Sequence, residues 1–229
     1  NDHATALLLF PTKALTQDQY KNFLRLAPPC LHPSISIYDG DTPSSQRAKI
    51  RENARILLSN PDMLHTAILP HHPQWEEFFR GLTFVILDEV HLYRGVFGSH
   101  IANLMRRLKR IARFYTASPT FILTSATIAN AKEHAENLIE ETFQQVFDNQ
   151  SPRGKKYFLL YNPPIINQEL GVRRSALSEA VRLSGDLITK GVQILLFTHT
   201  RKNVEIGVKL LQNQNPEQAQ HIFGYRSGY

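Results

Sequence analysis

The sequence predicts an α/β fold: a mostly parallel sheet with helices on both faces, followed by the start of a second α/β unit. Three observations predict it. Apolar runs of strand length alternate with helical patterns along the chain, which is how parallel sheets covered on both sides are built. One run, Thr83-Phe84-Val85-Ile86-Leu87, is apolar almost throughout rather than alternating, as in a strand buried on both faces. A polar stretch with Pro and Gly, Asp148 to Lys156, interrupts the pattern and reads as a linker.

Strands are expected at Ala4–Phe10, Ser34–Tyr38, Ile56–Ser59, Thr83–Leu87 and Thr120–Thr124. Helices are expected between them, at about Lys13–Leu26, Pro43–Arg51, Pro61–Leu69, Gln74–Arg80, His100–Phe114 and Ala131–Glu141. Pro61 suits a first helical turn, with Asn60 as its cap. Ile101, Leu104, Met105, Leu108, Ile111 and Ala112 mark one apolar helix face by their spacing. Gly95 and Gly98, just upstream, allow a tight turn. Beyond the linker, strands are expected at Tyr157–Tyr161 and Val192–Thr198, and helices at about Arg173–Thr189 and Arg201–Gln212. The expected division is therefore 1–150 and 151–229.

The 229 residues, 42% hydrophobic and 20% charged, have the composition of an ordinary globular protein. No apolar run approaches the roughly 20 residues of a membrane-spanning helix. The single cysteine, Cys30, excludes an internal disulfide or a cysteine-rich zinc site and fits a reducing, cytoplasmic setting. A net charge of +6 suits a polyanionic partner, although it equally supports solubility.

The run Thr83–Leu87 ends on Asp88-Glu89-Val90-His91. Open α/β sheets bind their ligands at the carboxyl ends of strands, and two adjacent carboxylates there have the layout of a Walker B site. Asp88 would hold Mg²⁺ through its water shell, and Glu89 would act on an attacking water. The plain alternative is a strand ending in a solvated acidic turn.

Six segments, each after a predicted strand, resemble the motifs of superfamily 2 helicases. The stretch from Phe10 to Gln19 resembles motif Ia. Tyr38-Asp39-Gly40-Asp41-Thr42 takes the place of the next, glycine-containing turn. Ser59-Asn60-Pro61-Asp62-Met63-Leu64-His65 resembles motif Ib. Asp88-Glu89-Val90-His91 resembles motif II, Thr124-Ser125-Ala126-Thr127 motif III, and the stretch from Ile194 to Arg201 motif IV. Asp88 to His100, with Ser59 to His65, is similar to the Hrq/MrfA (YprA) group, which are ATP-dependent, 3′-to-5′ DNA helicases linked to DNA repair. The resemblance implies a RecA-like first lobe followed by the start of a second. It also implies ATP and Mg²⁺ as cofactors and single-stranded or partly duplex DNA as partner.

Residue roles follow from that resemblance, each with a structural alternative. His91, Ser125 and Thr127 would couple the nucleotide site to motif III; a packed histidine and locally bonded hydroxyls are the alternatives. Thr12, Lys13, Gln17 and Asn60 would contact the DNA strand at helix starts, or serve only as caps. Asp62 is read as a helix-start residue. Arg106, Arg110 and Arg113 share a helix face that suits phosphates, or one that is merely solvated. Tyr93 and Phe97 are candidates for base stacking, with core packing as the alternative for Phe97. His199 and Arg201 stand where motif IV meets nucleotide or DNA.

No G-x-x-x-x-G-K-[S/T] loop occurs in the chain. The expectation is an internal piece of a helicase, with motif I before Asn1 and motifs V and VI after Tyr229, inactive alone as an ATPase. A non-catalytic nucleic-acid-binding module and an RNA helicase fragment remain the rival readings.

Overall fold

A computed structural model describes residues 3–146, 151–152 and 154–225. The predicted linker lies partly, and the segment 226–229 wholly, outside the described residues. The chain divides into two compact units, Asn1–Asn149 and Gln150–Tyr229.

The first unit runs β1 (Thr5–Leu9), α1 (Lys13–Leu26), β2 (Ile35–Ile37), α2 (Ser44–Asn53), β3 (Ile56–Ser59), α3 (Pro61–Met63), α4 (Glu76–Arg80), β4 (Leu82–Leu87), α5 (Gly95–Phe114), β5 (Thr120–Leu123) and α6 (Ala131–Ile139). Its five strands lie in the order β2-β3-β1-β4-β5 and every pair is parallel. From β1 the chain crosses to the edge position of β2, comes back to insert β3 beside β1, and then places β4 and β5 on the other side of β1. The order therefore reverses between β3 and β4, which places a crevice at the carboxyl ends of β1 and β4.

The strands alternate their side chains between two apolar layers. Leu8, Phe10, Ile35 and Leu58 pack under α1 through Leu15, Tyr20 and Phe23. Leu7, Leu9, Leu57, Val85 and Leu87 face the other layer, where Trp75, Phe79, Met105 and Leu108 are buried. This is a RecA-like arrangement with helices on both faces.

Two helices differ from expectation. The predicted helix Pro61–Leu69 is one α-turn that widens into a π-turn, Leu64–Ile68, and then tightens into a 3₁₀ segment, Leu69–Trp75. Pro70 and Pro73 lack the N–H that would continue an α-helix, and each ring crowds the carbonyl four residues earlier. α5 starts at Gly95, five residues before the predicted His100. Gly95 takes a left-handed φ of +58°, as a turn requires, but Gly98 lies inside the helix. A Cβ there would stand 2.3 Å from the Tyr93 carbonyl oxygen.

The second unit holds a short antiparallel pair, β6 (Ile165–Asn167) and β7 (Val172–Arg173), then α7 (Ala176–Ile188) and α8 (Arg201–Gln214). The expected helices form, with α7 starting at Ala176 and α8 ending at Gln214; the strands expected at 157–161 and 192–198 do not. A strand has no hydrogen bonds of its own and needs a neighbour. Among the described residues no segment pairs with either stretch. Phe158 and Leu159 are accordingly 88% and 89% exposed, and Phe197 is 83% exposed. No helix among the described residues is long and apolar enough to cross a membrane.

Candidate nucleotide and nucleic-acid site

β4 delivers Asp88 to the sheet's carboxyl edge, where the Asp88 N–H donates to the Leu9 carbonyl at 3.0 Å. Asp88 Oδ1 accepts the Glu89 N–H at 2.9 Å and the hydroxyl of Thr124. Asp88 Oδ2 has no hydrogen-bond partner among the described residues. One carboxylate with a free oxygen suits Mg²⁺, which keeps several waters and takes its other ligands from phosphates. No group of three or more metal-binding side chains exists among the described residues.

Glu89 adopts φ 54° and ψ 42°, the left-handed region that non-glycine residues seldom enter. That turn brings its carboxylate back toward His91, with Oε2 3.1 Å from His91 Nδ1. The same Nδ1 lies 3.2 Å from the Ala126 N–H. One nitrogen serves only one of these roles at a time: bare, it accepts from Ala126; protonated, it donates to Glu89. Motif II and motif III are thus joined at three points: Asp88 to Thr124, His91 to Ala126, and the Val90 N–H to the Thr124 carbonyl at 3.0 Å. His134 of α6 also reaches motif II, its Nε2 2.8 Å from the Val90 carbonyl oxygen.

The sequence placed this coupling on His91, Ser125 and Thr127, and of these only His91 takes part in it. Ser125 Oγ instead donates locally, to the Ala126 carbonyl at 2.8 Å, and Thr127 is exposed with no hydrogen bond among the described residues. Thr124 and the Ala126 backbone carry the link because β5 ends at Leu123, so Thr124 is the first residue free to turn toward Asp88. Thr124 was within the quoted motif; nothing in local spacing pointed to His134. Tyr93 is 1% exposed, so base stacking is ruled out for it; its ring packs edge-on against Phe97 at 5.7 Å. Its hydroxyl is buried without a partner among the described residues. Burial first, then the Asp88 and Glu89 carboxylates, push its pKa far above the usual phenol range. Phe97 is 45% exposed.

Three loops meet at the same edge of the sheet, after β1, β2 and β3. Thr12 caps α1, its Oγ1 accepting the Leu15 N–H at 3.3 Å, and Asn60 Oδ1 caps α3 by accepting the Met63 N–H at 2.9 Å. The Ser59 hydroxyl donates to the Tyr38 carbonyl at 2.6 Å, tying the second loop to the third. Thr12, Lys13 and Gln17 are exposed, whereas Asn60 is 7% exposed. Asn60 is therefore mainly a cap, as Asp62, in the first turn of α3, is a helix-start residue. The Lys13 ammonium pairs with Asp41 at 2.9 Å, and this hydrogen bond raises its pKa.

On α5 the three arginines separate. Arg106 donates to Asn103 at 2.7 Å and to Glu140 at 2.6 Å, so its charge is already matched. Arg110 and Arg113 are exposed and have no hydrogen-bond or ion-pair partner among the described residues. Sequence spacing put all three on one face; Glu140, reached through α6, distinguishes them.

The geometry agrees with what the chain is similar to. Residues 1–134 match the family model described as DEAD/DEAH box helicase. The ATP-dependent helicase YprA of Bacillus subtilis is 47% identical over 227 residues, 98% of this chain and 30% of that protein. The ATP-dependent helicase HRQ1 of Saccharomyces cerevisiae is 37% identical over 239 residues, 99% of this chain and 22% of that protein. The crystal structure of the DUF1998 helicase MrfA bound to DNA and AMPPNP superposes with a TM-score of 0.87 at 44% identity, over 100% of this chain and 32% of that one. The chain thus spans about a third or less of the length of these relatives. It belongs to the DEAD/DEAH box helicase family, and relatives of the Hrq and MrfA group are among those it matches over nearly its whole length.

Proposed function

We propose that the chain is part of an ATP-dependent DNA helicase of superfamily 2. Its first unit supplies the acid pair for ATP hydrolysis and the loops that hold a DNA strand, and its second begins the other lobe. The observation that carries this reading is the junction at the sheet edge, where Asp88 and His91 bond directly to Thr124 and Ala126. A change at the nucleotide reaches motif III through those bonds, and motif III follows the strand next to the one that carries the acid pair. The relatives named as ATP-dependent and the MrfA structure with DNA and AMPPNP support it.

In this reading Asp88 would hold Mg²⁺ by way of its water shell, and Glu89 orients and deprotonates the hydrolytic water. Mg²⁺ itself, when bound, neutralises phosphate charge. Thr12 and Lys13 hold the strand by its phosphates, so little sequence preference is expected. Travel from 3′ to 5′ and a place in DNA repair follow the likeness to the Hrq and MrfA group. A cytoplasmic setting fits the one exposed thiol, Cys30. With no phosphate-binding loop in its 229 residues, the chain alone turns over little ATP.

The test is single-stranded DNA binding and DNA-stimulated ATP hydrolysis, on the chain and on Glu89→Gln. Salt-sensitive binding by both proteins with little turnover by either is expected. Absence of DNA binding, or turnover that survives Glu89→Gln, would overturn the reading.

A further inference from the structure

Lys13 does not point freely into solvent. Its ammonium lies 2.9 and 3.0 Å from the two oxygens of Asp41, a residue 28 positions away on the turn after β2. That turn is built to hold the carboxylate in place. Asp39 Oδ1 accepts the Asp41 N–H at 2.9 Å and the Thr42 hydroxyl at 3.2 Å, while Thr42 Oγ1 accepts the Asp39 N–H at 2.9 Å. Asp39 is 2% exposed, so the bracing is buried, whereas the Lys13 and Asp41 side chains are 51% and 74% exposed. The turn approaches the lysine closely at Gly40, where a Cβ would stand 3.2 Å from Lys13 Nζ.

An ammonium between two carboxylate oxygens is bound much as it would be between two phosphate oxygens. We propose that Asp41 is a built-in competitor for nucleic-acid phosphate at Lys13. A strand engages the lysine only by displacing the Asp41 carboxylate, so the contact exchanges one anion for another. Affinity is lower and release faster than a free lysine would give, which suits a protein that must let go of the strand in every cycle. Asp41 acts here through Lys13 and touches no reacting atom. The inference rests on the reading of Lys13 as a strand contact.

The test is binding of a labelled single-stranded oligodeoxynucleotide at fixed ionic strength, with equilibrium anisotropy and stopped-flow dissociation as readouts. The full chain, Asp41→Asn, Asp41→Glu, Lys13→Ala and the double variant Lys13→Ala/Asp41→Asn are compared. Asp41→Asn is expected to bind about two- to five-fold more tightly, the range of an exposed ion pair, with correspondingly slower dissociation. That gain should vanish when Lys13 is alanine, and Asp41→Glu, which keeps the carboxylate, should stay near the unaltered chain. Weaker binding by Asp41→Asn would overturn the proposal, since Asp41 would then aim the lysine at phosphate. A gain that persists without Lys13 would overturn it too, by showing simple repulsion from the Asp41 charge. If Lys13→Ala alone binds as the unaltered chain does, the underlying reading of Lys13 fails, an outcome distinct from both.

Discussion

At the scale of single residues, His91 Nδ1 stands between Glu89 and the Ala126 N–H and bonds to one of them according to its proton. Glu89 comes within its reach only through a left-handed backbone conformation, which costs about 1 kcal/mol or more in a non-glycine residue. The sequence identified both residues but gave no hint of the conformation, because φ is set by what surrounds the turn. Tyr93 is the counterexample. An aromatic beside the acid pair suggested a base-stacking surface, yet its hydroxyl is buried and unpartnered among the described residues. Leaving a buried hydroxyl unsatisfied is unfavourable. Tyr93→Phe is therefore expected to raise the unfolding free energy by about 1 kcal/mol, read as a higher urea midpoint with an unchanged slope. A lower midpoint would mean that the hydroxyl has a stabilising partner.

Among the elements, α5 shows how close packing fixes a residue that pattern alone misreads. The apolar spacing of Ile101, Leu104, Met105 and Leu108 matches the buried face, but Gly98 is the tighter constraint. Gly98→Ala places a methyl 2.3 Å from a backbone oxygen that cannot swing away. A loss of about 1–3 kcal/mol is expected from such overpacking, measured by urea unfolding; an unchanged midpoint would show that the helix start shifts freely. In α7 the element depends on charge. Glu179, 1% exposed, accepts from Tyr161 at 2.8 Å, from Arg174 at 2.6 Å and from Arg182 at 3.1 Å. Arg182, Tyr161 and Arg174 together hold its pKa down to about 2, below the ordinary 4.5. A lowered folded pKa contributes stability in full above the ordinary value, and that stability is lost as pH falls toward about 2. The α7 amides should therefore lose protection in hydrogen exchange between about pH 4.5 and 2. Glu179→Gln should remove that dependence; an acid step that persists in the variant would place its cause elsewhere.

For the whole molecule, the excess of +6 charges matters through where the cations are unmatched. Arg106 is neutralised by Glu140, while Arg110 and Arg113 are not paired among the described residues. If both reach DNA, Arg110→Ala/Arg113→Ala should reduce the slope of log affinity against log salt by about 1.4, roughly 0.7 for each single-strand phosphate contact. An unchanged slope would make that face a solvated one.

The sequence by itself determined the first unit: all five strands, nearly every helix and the acid pair at the carboxyl end of β4. Buried parallel strands are long apolar runs, and glycine, proline and capping residues punctuate them locally. Resemblance to known motifs added the coupling between motifs II and III. Tertiary structure alone decided which atoms make it, Thr124 and the Ala126 N–H rather than Ser125 and Thr127. It also decided which arginine of α5 is matched, that Tyr93 is buried, and that Lys13 is held by Asp41. In the second unit it left 157–161 and 192–198 without a ladder among the described residues, despite strong strand patterns. The reason is common to all of these. Strand and helix tendencies are carried by neighbours in sequence, whereas a hydrogen-bond partner, a paired charge or a neighbouring strand comes from residues far away in the chain, as Asp41 does for Lys13 across 28 positions.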